Sequence, residues 1–515
     1  MASIPDKWQL LLLSKPSPEV ITYLDIPRKC GLLSAEELEI TEKYDATALA
    51  EAIRLKRLKS IDVVRAFCRR AAIANQLTNC WTEILFKDAI IRASELDSHL
   101  AARKPPLGSL HGVPGSLKDT FRIKGYDTSI DIAALAFKPA QENPTLVDIL
   151  LNAGAVLYCK TNVPQTLMAI DSHNNIFGRT LNPYNTSVTA GRSSGGEGAL
   201  LALRGSVLGV GTDVGGSIRI PVIWQRIPYA GQENGTLPAA SKLGIPASAR
   251  PLAHSIRDIE LFFKAVSEQK PWELDPDAIP SPWKAISSSS PNEGLRIGIV
   301  KRDGATEPHP PILRLLDEVG ARMTDNGIKV IDMDITAVFP QCQSLANALF
   351  GIEGGNAMLD LLESTKEPLP PWLSTRMRRK ALLSLDKVCE LHARRTELQR
   401  RFLDLWKDKG GRKIDAFTCP VAPHPVPPID RWNGVGYTSS FVLMDYSAGV
   451  FPVRVFEERD MEGDFPSSKP LSSWDKANRG LWMNLDRSVY VGTPLCVQIV
   501  VPKLEKEAVQ NYELY

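Results

Sequence analysis

Between Gly191 and Ser217 the chain carries nine glycines and four serines, Ser193, Ser194, Ser206 and Ser217. A run so short of side chains predicts a loop, then a helix of small residues. A buried strand over Val207–Val210 and a second loop ending at Ser217 follow. The texture differs from everything before it. Residues 47–75 repeat apolar side chains at helical spacing, with Ser60 expected to cap a second helix, and 83–102 repeat the pattern until Pro105-Pro106 stops it. Gly108–Asp119 reads as strand and turn, Thr145–Asn152 as a helix and Ala155–Lys160 as a strand.

The second half alternates strand and helix as well. Leu295–Val300, Pro311–Asn326 and Ile328–Met333 form a βαβ unit, with Gly327 just past the helix end. Arg376–Lys409 reads as one long charged helix ended by Gly410-Gly411, its arginines on a solvated face. Ala416–Pro420 and Pro494–Val501 read as buried strands. Residues 268–294, with five prolines and the run Ser287–Ser290, have the composition of a linker. No internal repeat is visible.

Composition excludes several classes. The 61 Lys and Arg against 59 Asp and Glu leave a formal charge of +2, too little basic excess to grip nucleic acid. The eight cysteines are scattered without a CxxC pair or Cys/His ligand spacing, as expected of reduced thiols in the cytoplasm. The apolar run Leu10–Leu13 is too short for a signal-peptide core, and no stretch approaches the length of a membrane span.

Three stretches concentrate chemistry: Gly112–Thr120 (GVPGSLKDT), Thr189–Leu200 (TAGRSSGGEGAL) and Gly211–Pro221 (GTDVGGSIRIP). Two glycines before Ser217 let consecutive amides face one side, so the N–H groups of Val214, Gly215, Gly216 and Ser217 suit an oxyanion beside an attacking hydroxyl. A tight strand-to-helix turn without chemistry is the plain alternative. A serine nucleophile needs a base. The seven histidines sit in unrelated contexts, whereas Lys118 follows an apolar strand. Burial that lowered its pKa to near 7 would correspond to roughly 4–5 kcal/mol and leave a neutral amine. The alternative is a lysine paired with Asp119. Gly191–Gly195 also matches G-x-S-x-G, but the polar run before it is no strand, so a nucleophile elbow at Ser193 is disfavoured.

In this order and spacing the three stretches resemble the amidase signature family. The resemblance extends through segments such as KTNVPQTLMAIDSHNNIFGRTLNP, DAFTCPVAPHP and GYTSSFVLMDYSAGVFPV, which look like the fungal acetamidase branch. It implies one α/β domain over 1–515, an α/β/α sandwich around a large mixed sheet. A helical layer would span about 1–105, a catalytic core about 108–260 and a C-terminal α/β portion about 290–515, with 268–294 a surface loop rather than a linker. It further implies amide hydrolysis through an acyl-enzyme. Ser217 would be the nucleophile, Ser193 the relay, Lys118 the base and the 214–217 amides the oxyanion hole, with no metal or organic cofactor. The expected partner is a small-molecule amide, and a homodimer is left open.

Two departures bear on activity. Arg192 stands where the family has glycine, before the serine whose preceding bond is cis in the family; the sequence does not say whether it is cis here. The resemblance also implies that about ten residues, a strand behind the expected nucleophile, are missing after Pro221. A catalytically impaired amidase-fold protein therefore stays open. So does a Ser-His-Asp esterase using Ser193. An amidotransferase subunit acting on charged tRNA shares the motifs but fits the charge less well.

Overall fold

The computed structural model describes residues 13, 16–17, 20–220, 244–245, 247–280, 282–283, 294–432 and 434–503. The Leu10–Leu12 part of the N-terminal apolar run, the segment 221–243 and the Ser287–Ser290 run lie outside these. The first layer is helical. It contains α1 (Ala35–Lys43), α2 (Ala46–Arg54) and α3 (Ser60–Thr78). Ser34 and Glu37 close a reciprocal capping box on α1, and Asp45 caps α2 through the Ala48 amide. Ser60 is not the expected cap. It lies inside α3, and the Asp97 carboxylate accepts from the Ser60 and Ile61 amides at 2.8 and 3.0 Å. A distant carboxylate thus takes the place of a local hydroxyl.

A short strand β1 (Trp81–Ile84) precedes α4 (Phe86–Ala101), so the helix expected from Glu83 begins later. Then come β2 (Pro114–Lys118), α5 (Thr145–Asn152), β3 (Val156–Thr161), α6 (Gly195–Ala202), β4 (Leu208–Asp213) and β5 (Ser248–Ala253). The strand order is β1-β3-β2-β4-β5, with β3, β2 and β4 parallel and both edges antiparallel. β2 and β3 are buried throughout, as parallel strands covered on both faces must be. Leu117 joins the main apolar cluster, where full burial of a leucine is worth about 1.5–3 kcal/mol.

The second half supplies α7 (Ile256–Glu268), β6 (Arg296–Ile299), α8 (Pro310–Asp325), β7 (Lys329–Asp332), α9 (Phe339–Phe350), α10 (Leu385–Asp404), β8 (Ala416–Pro420), α11 (Gly436–Met444), β9 (Ser447–Val455) and β10 (Pro494–Val501). These strands form a second five-stranded mixed sheet, β9-β10-β8-β6-β7. The long charged helix is shorter than expected. It starts at Leu385 under a Ser384 cap, and Gly410-Gly411 form a later turn on the Asp408 carboxylate.

The described strands thus make a mixed α/β architecture of two five-stranded sheets and one two-stranded ribbon, His173–Asn174 with Gly178–Arg179. Arg219 crosses between the halves, donating to Gln498 on β10 at 2.8 Å. All eight cysteines are free thiols. Among the described residues no helix is long and apolar enough to cross a membrane.

Candidate active site

Side chains alternate along β2, so Ser116 and Lys118 share one face while Leu117 enters the core. That face meets α6 and the loop before it. Glu197, in the first turn of α6, accepts from Ser116 Oγ at 2.6 Å and from Thr161 Oγ1 at 2.9 Å. The helix can come this close because its neighbours lack side chains. A Cβ on Gly209 would lie 2.2 Å from Glu197 Oε2, and one on Gly196 2.5 Å from the Asn162 carbonyl. Burial pushes the Glu197 carboxyl up to about 7 against these hydrogen bonds.

Lys118 is buried, and its Nζ lies 2.6 Å from Ser193 Oγ. Thr212 on β4 holds the same nitrogen through Oγ1 at 2.8 Å and its carbonyl at 3.1 Å. Asp119 is not its partner. The strand turns Asp119 to the opposite face, where it pairs with Lys160 at 2.7 Å. Burial is the main reason the Lys118 amine is pulled down to about 7. The Arg192 charge adds to the shift, while Asp213 and Glu197 oppose it. The shift favours the neutral amine, the form that accepts a proton.

Ser217 ends the turn after β4. Its carbonyl accepts from the Ser194 amide at 3.1 Å, which ties the Ser217 turn to the Ser193–Ser194 loop. Among the described residues the Ser217 hydroxyl makes no hydrogen bond, so the bond expected between it and Ser193 is not formed; the two loops meet through the backbone. The backbone reverses at Gly216, whose φ is +114°, and a Cβ there would strike Thr438 Oγ1 at 2.3 Å.

The four amides expected to share one hollow do not all do so. The Gly216 N–H donates to Asp213 Oδ1 at 2.6 Å and is spent on that carboxylate. Val214, Gly215 and Ser217 keep amides without a hydrogen-bond partner among the described residues. Burial opposes ionisation of Asp213, but Arg219, Arg250 and the Gly216 amide hold its carboxyl well below the usual range. Asp213 is therefore a fixed anion that shapes the turn. Thr438 of α11 clasps the turn from the other half, donating to the Gly215 carbonyl at 2.8 Å.

Arg192 lies across this turn, its Nη1 donating to the same Gly215 carbonyl at 3.0 Å. Every described peptide bond is trans, the Arg192–Ser193 bond included. The histidines are elsewhere. The rings of His111, His309 and His424 bond to backbone groups, and burial drives the latter two down to about 3 and about 4. Among the described residues no group of three or more His, Cys, Asp or Glu is arranged to hold a metal.

Sequence reasoning named Lys118, Ser193 and Ser217 but missed four supporting residues. Thr212 and Asp213 sit inside the quoted GTDVGGS stretch, where attention to the glycines hid them. Glu197 is the one acidic residue in its small-residue helix and was a visible signal. Thr438 is far along the chain and carries no local signal. A cavity of about 450 Å³ lies beyond Gly191 and Arg219, bordered by Tyr184, His254, Val450 and Leu495. None of Lys118, Ser193 and Ser217 lines it.

A family model described as "Amidase" matches residues 62–509. The acetamidase of Emericella nidulans is 35% identical, with 98% of this chain and 93% of the relative covered. A putative amidase of Curvularia clavata is 36% identical over 92% and 88%. Among solved structures, a fatty acid amide hydrolase superposes with a TM-score of 0.88 at 28% identity, covering 98% of this chain and 90% of that one. A bacterial aryl acylamidase of the amidase signature family shares the fold, with a TM-score of 0.71 at 19% identity over 90% and 94%.

Proposed function

From the premise that this chain belongs to the amidase signature family, whose members here are carbon–nitrogen hydrolases acting on amides, we propose that it cleaves a small or medium carboxamide through Lys118, Ser193 and Ser217. The observation that carries this is the 2.6 Å contact between a buried lysine, which pairs with no carboxylate among the described residues, and the Ser193 hydroxyl. Ser193 passes its proton to the neutral Lys118 amine and takes the Ser217 proton in return. Ser217 Oγ attacks the amide carbon, and the amides of Val214, Gly215 and Ser217 receive the developing negative charge. The C–N bond then breaks as the relay returns the proton to the leaving nitrogen. Water, deprotonated along the same route, attacks the ester and releases the acid. Substrate binding has to close the Ser193–Ser217 bond, since catalytic contacts often tighten only in the loaded site.

The acetamidase relatives support a small acyl group and a role in releasing ammonia from amides. Tailoring of a secondary metabolite is the other role, and the gene neighbourhood separates the two. The eight free thiols support a reducing compartment, in which we place the protein as a cytoplasmic enzyme. A catalytically impaired protein is the alternative, favoured by the unbonded Ser217 hydroxyl and by Arg192 across the turn. Turnover of acetamide or an aryl amide by the wild type, lost in Ser217→Ala while the fold persists, decides for hydrolysis. Equal activity in both would remove it.

A further inference from the structure

The hydrolysis scheme uses one amine and two hydroxyls, yet a fixed cation stands beside them. Arg192 immediately precedes Ser193 and is half-buried. Its guanidinium packs on the nucleophile turn. A Cβ on Gly215 would meet Nη1 at 3.8 Å and the Phe350 ring at 3.3 Å. Gly215 is two residues from Ser217, which limits their Cα separation to about 7.6 Å.

This cation is poorly satisfied. Nη1 has the Gly215 carbonyl, but Nε is buried without a hydrogen bond, and Nη2 has no partner among the described residues. No described carboxylate forms an ion pair with it. Asp213, whose charge it feels, is already engaged by Arg219 and Arg250. Glu197 is taken by Ser116 and Thr161. The other cations cannot serve a ligand. Lys118 is buried against Ser193 and Thr212, and Arg219 is held by Asp213 and Gln498. A guanidinium stays charged, and leaving it half-buried and unpaired is costly unless an anion arrives. Nη2 is the donor left for an arriving anion, and a charge-assisted N–H bond to a carboxylate is about twice as strong as a neutral one.

We propose that Arg192 is a specificity-determining residue that binds a carboxylate on the substrate, so that the preferred substrates are half-amides of short dicarboxylic acids. This rests on hydrolysis at Ser217. The acid group and the scissile carboxamide are then separated by two or three methylenes, a span compatible with the short distance from the Gly215 turn to Ser217. Neutral amides of the same length offer Nη2 no anionic partner.

The test compares succinamate with butyramide, and glutaramate with valeramide. Wild type should show kcat/KM at least about tenfold higher for the acid of each pair, chiefly through KM. Arg192→Gln should bring that ratio toward one, and Arg192→Lys should keep part of it. Equal or lower kcat/KM for the acids in wild type, or an unchanged ratio in Arg192→Gln, overturns the proposal. A second measurement does not need turnover. Succinate should bind Ser217→Ala in calorimetry, and that binding should vanish when Arg192→Gln is added. Succinate binding without any amide turnover would uphold the anion site and count against hydrolysis at Ser217. Turnover of butyramide with no succinate binding would do the reverse.

Discussion

Lys118 Nζ and Ser193 Oγ lie 2.6 Å apart at the junction of a fully buried strand and the loop that opens a small-residue helix. The lysine reaches this serine because β2 turns its two neighbours away, Leu117 into the core and Asp119 toward Lys160. Replacing Lys118 by Ala should lower kcat by about 10²–10⁴-fold, the range for loss of a positioned general base. Steady-state kinetics on an aryl amide, beside a circular dichroism spectrum that shows the fold kept, checks this.

The pH profile follows from the same amine. Lys118 is pulled down to about 7, chiefly by burial, and only its neutral form accepts a proton. Activity should therefore rise as pH increases through about 7 and level off above. Glu197 favours the charged form, so Glu197→Gln should move this limb to lower pH. A limb unmoved in that variant would detach the profile from Lys118.

Asp213 binds two buried guanidinium groups and a turn amide. Asp213→Ala strands those charges and should cost about 3–5 kcal/mol in stability, read by urea unfolding. The linkage has a definite sign. A carboxyl held low when folded stabilises the protein above its unfolded pKa, and that contribution fades as pH falls toward the folded value. The Asp213→Ala penalty should accordingly be smaller in acid than at neutral pH.

Thr438 donates to the Gly215 carbonyl from α11, across the interface between the two halves. Thr438→Val keeps the shape and removes the hydrogen bond. We expect a stability loss of about 1 kcal/mol and a clear fall in kcat, with urea unfolding and kinetics as the two measurements.

Gly216 carries φ +114° with Thr438 Oγ1 against its Cα. Gly216→Ala should destabilise by about 1–3 kcal/mol and reduce turnover far more than the stability change explains. Comparing its melting temperature with its kcat separates the two effects.

Regular periodicity made much of the fold legible. Thr145–Asn152, Ala416–Pro420 and Pro494–Val501 have the expected bounds because apolar side chains mark them from end to end. Ends set by distant partners were not legible. Asp97 takes over the cap expected of Ser60, and Ser384 starts α10 well after the charge pattern begins. At the site the residue types of Lys118, Ser193 and Ser217 were readable from three motifs. Their electrostatics were not, because Asp213 draws one amide from the expected hollow and Arg192 brings a charge where glycine was expected.

Covalent trapping with a fluorophosphonate, followed by peptide mass mapping, tests the nucleophile most directly. The adduct should fall on Ser217, disappear in Ser217→Ala and form much more slowly in Lys118→Ala. An adduct on Ser193 that survives in Ser217→Ala, or no adduct on the folded wild type, would contradict the mechanism.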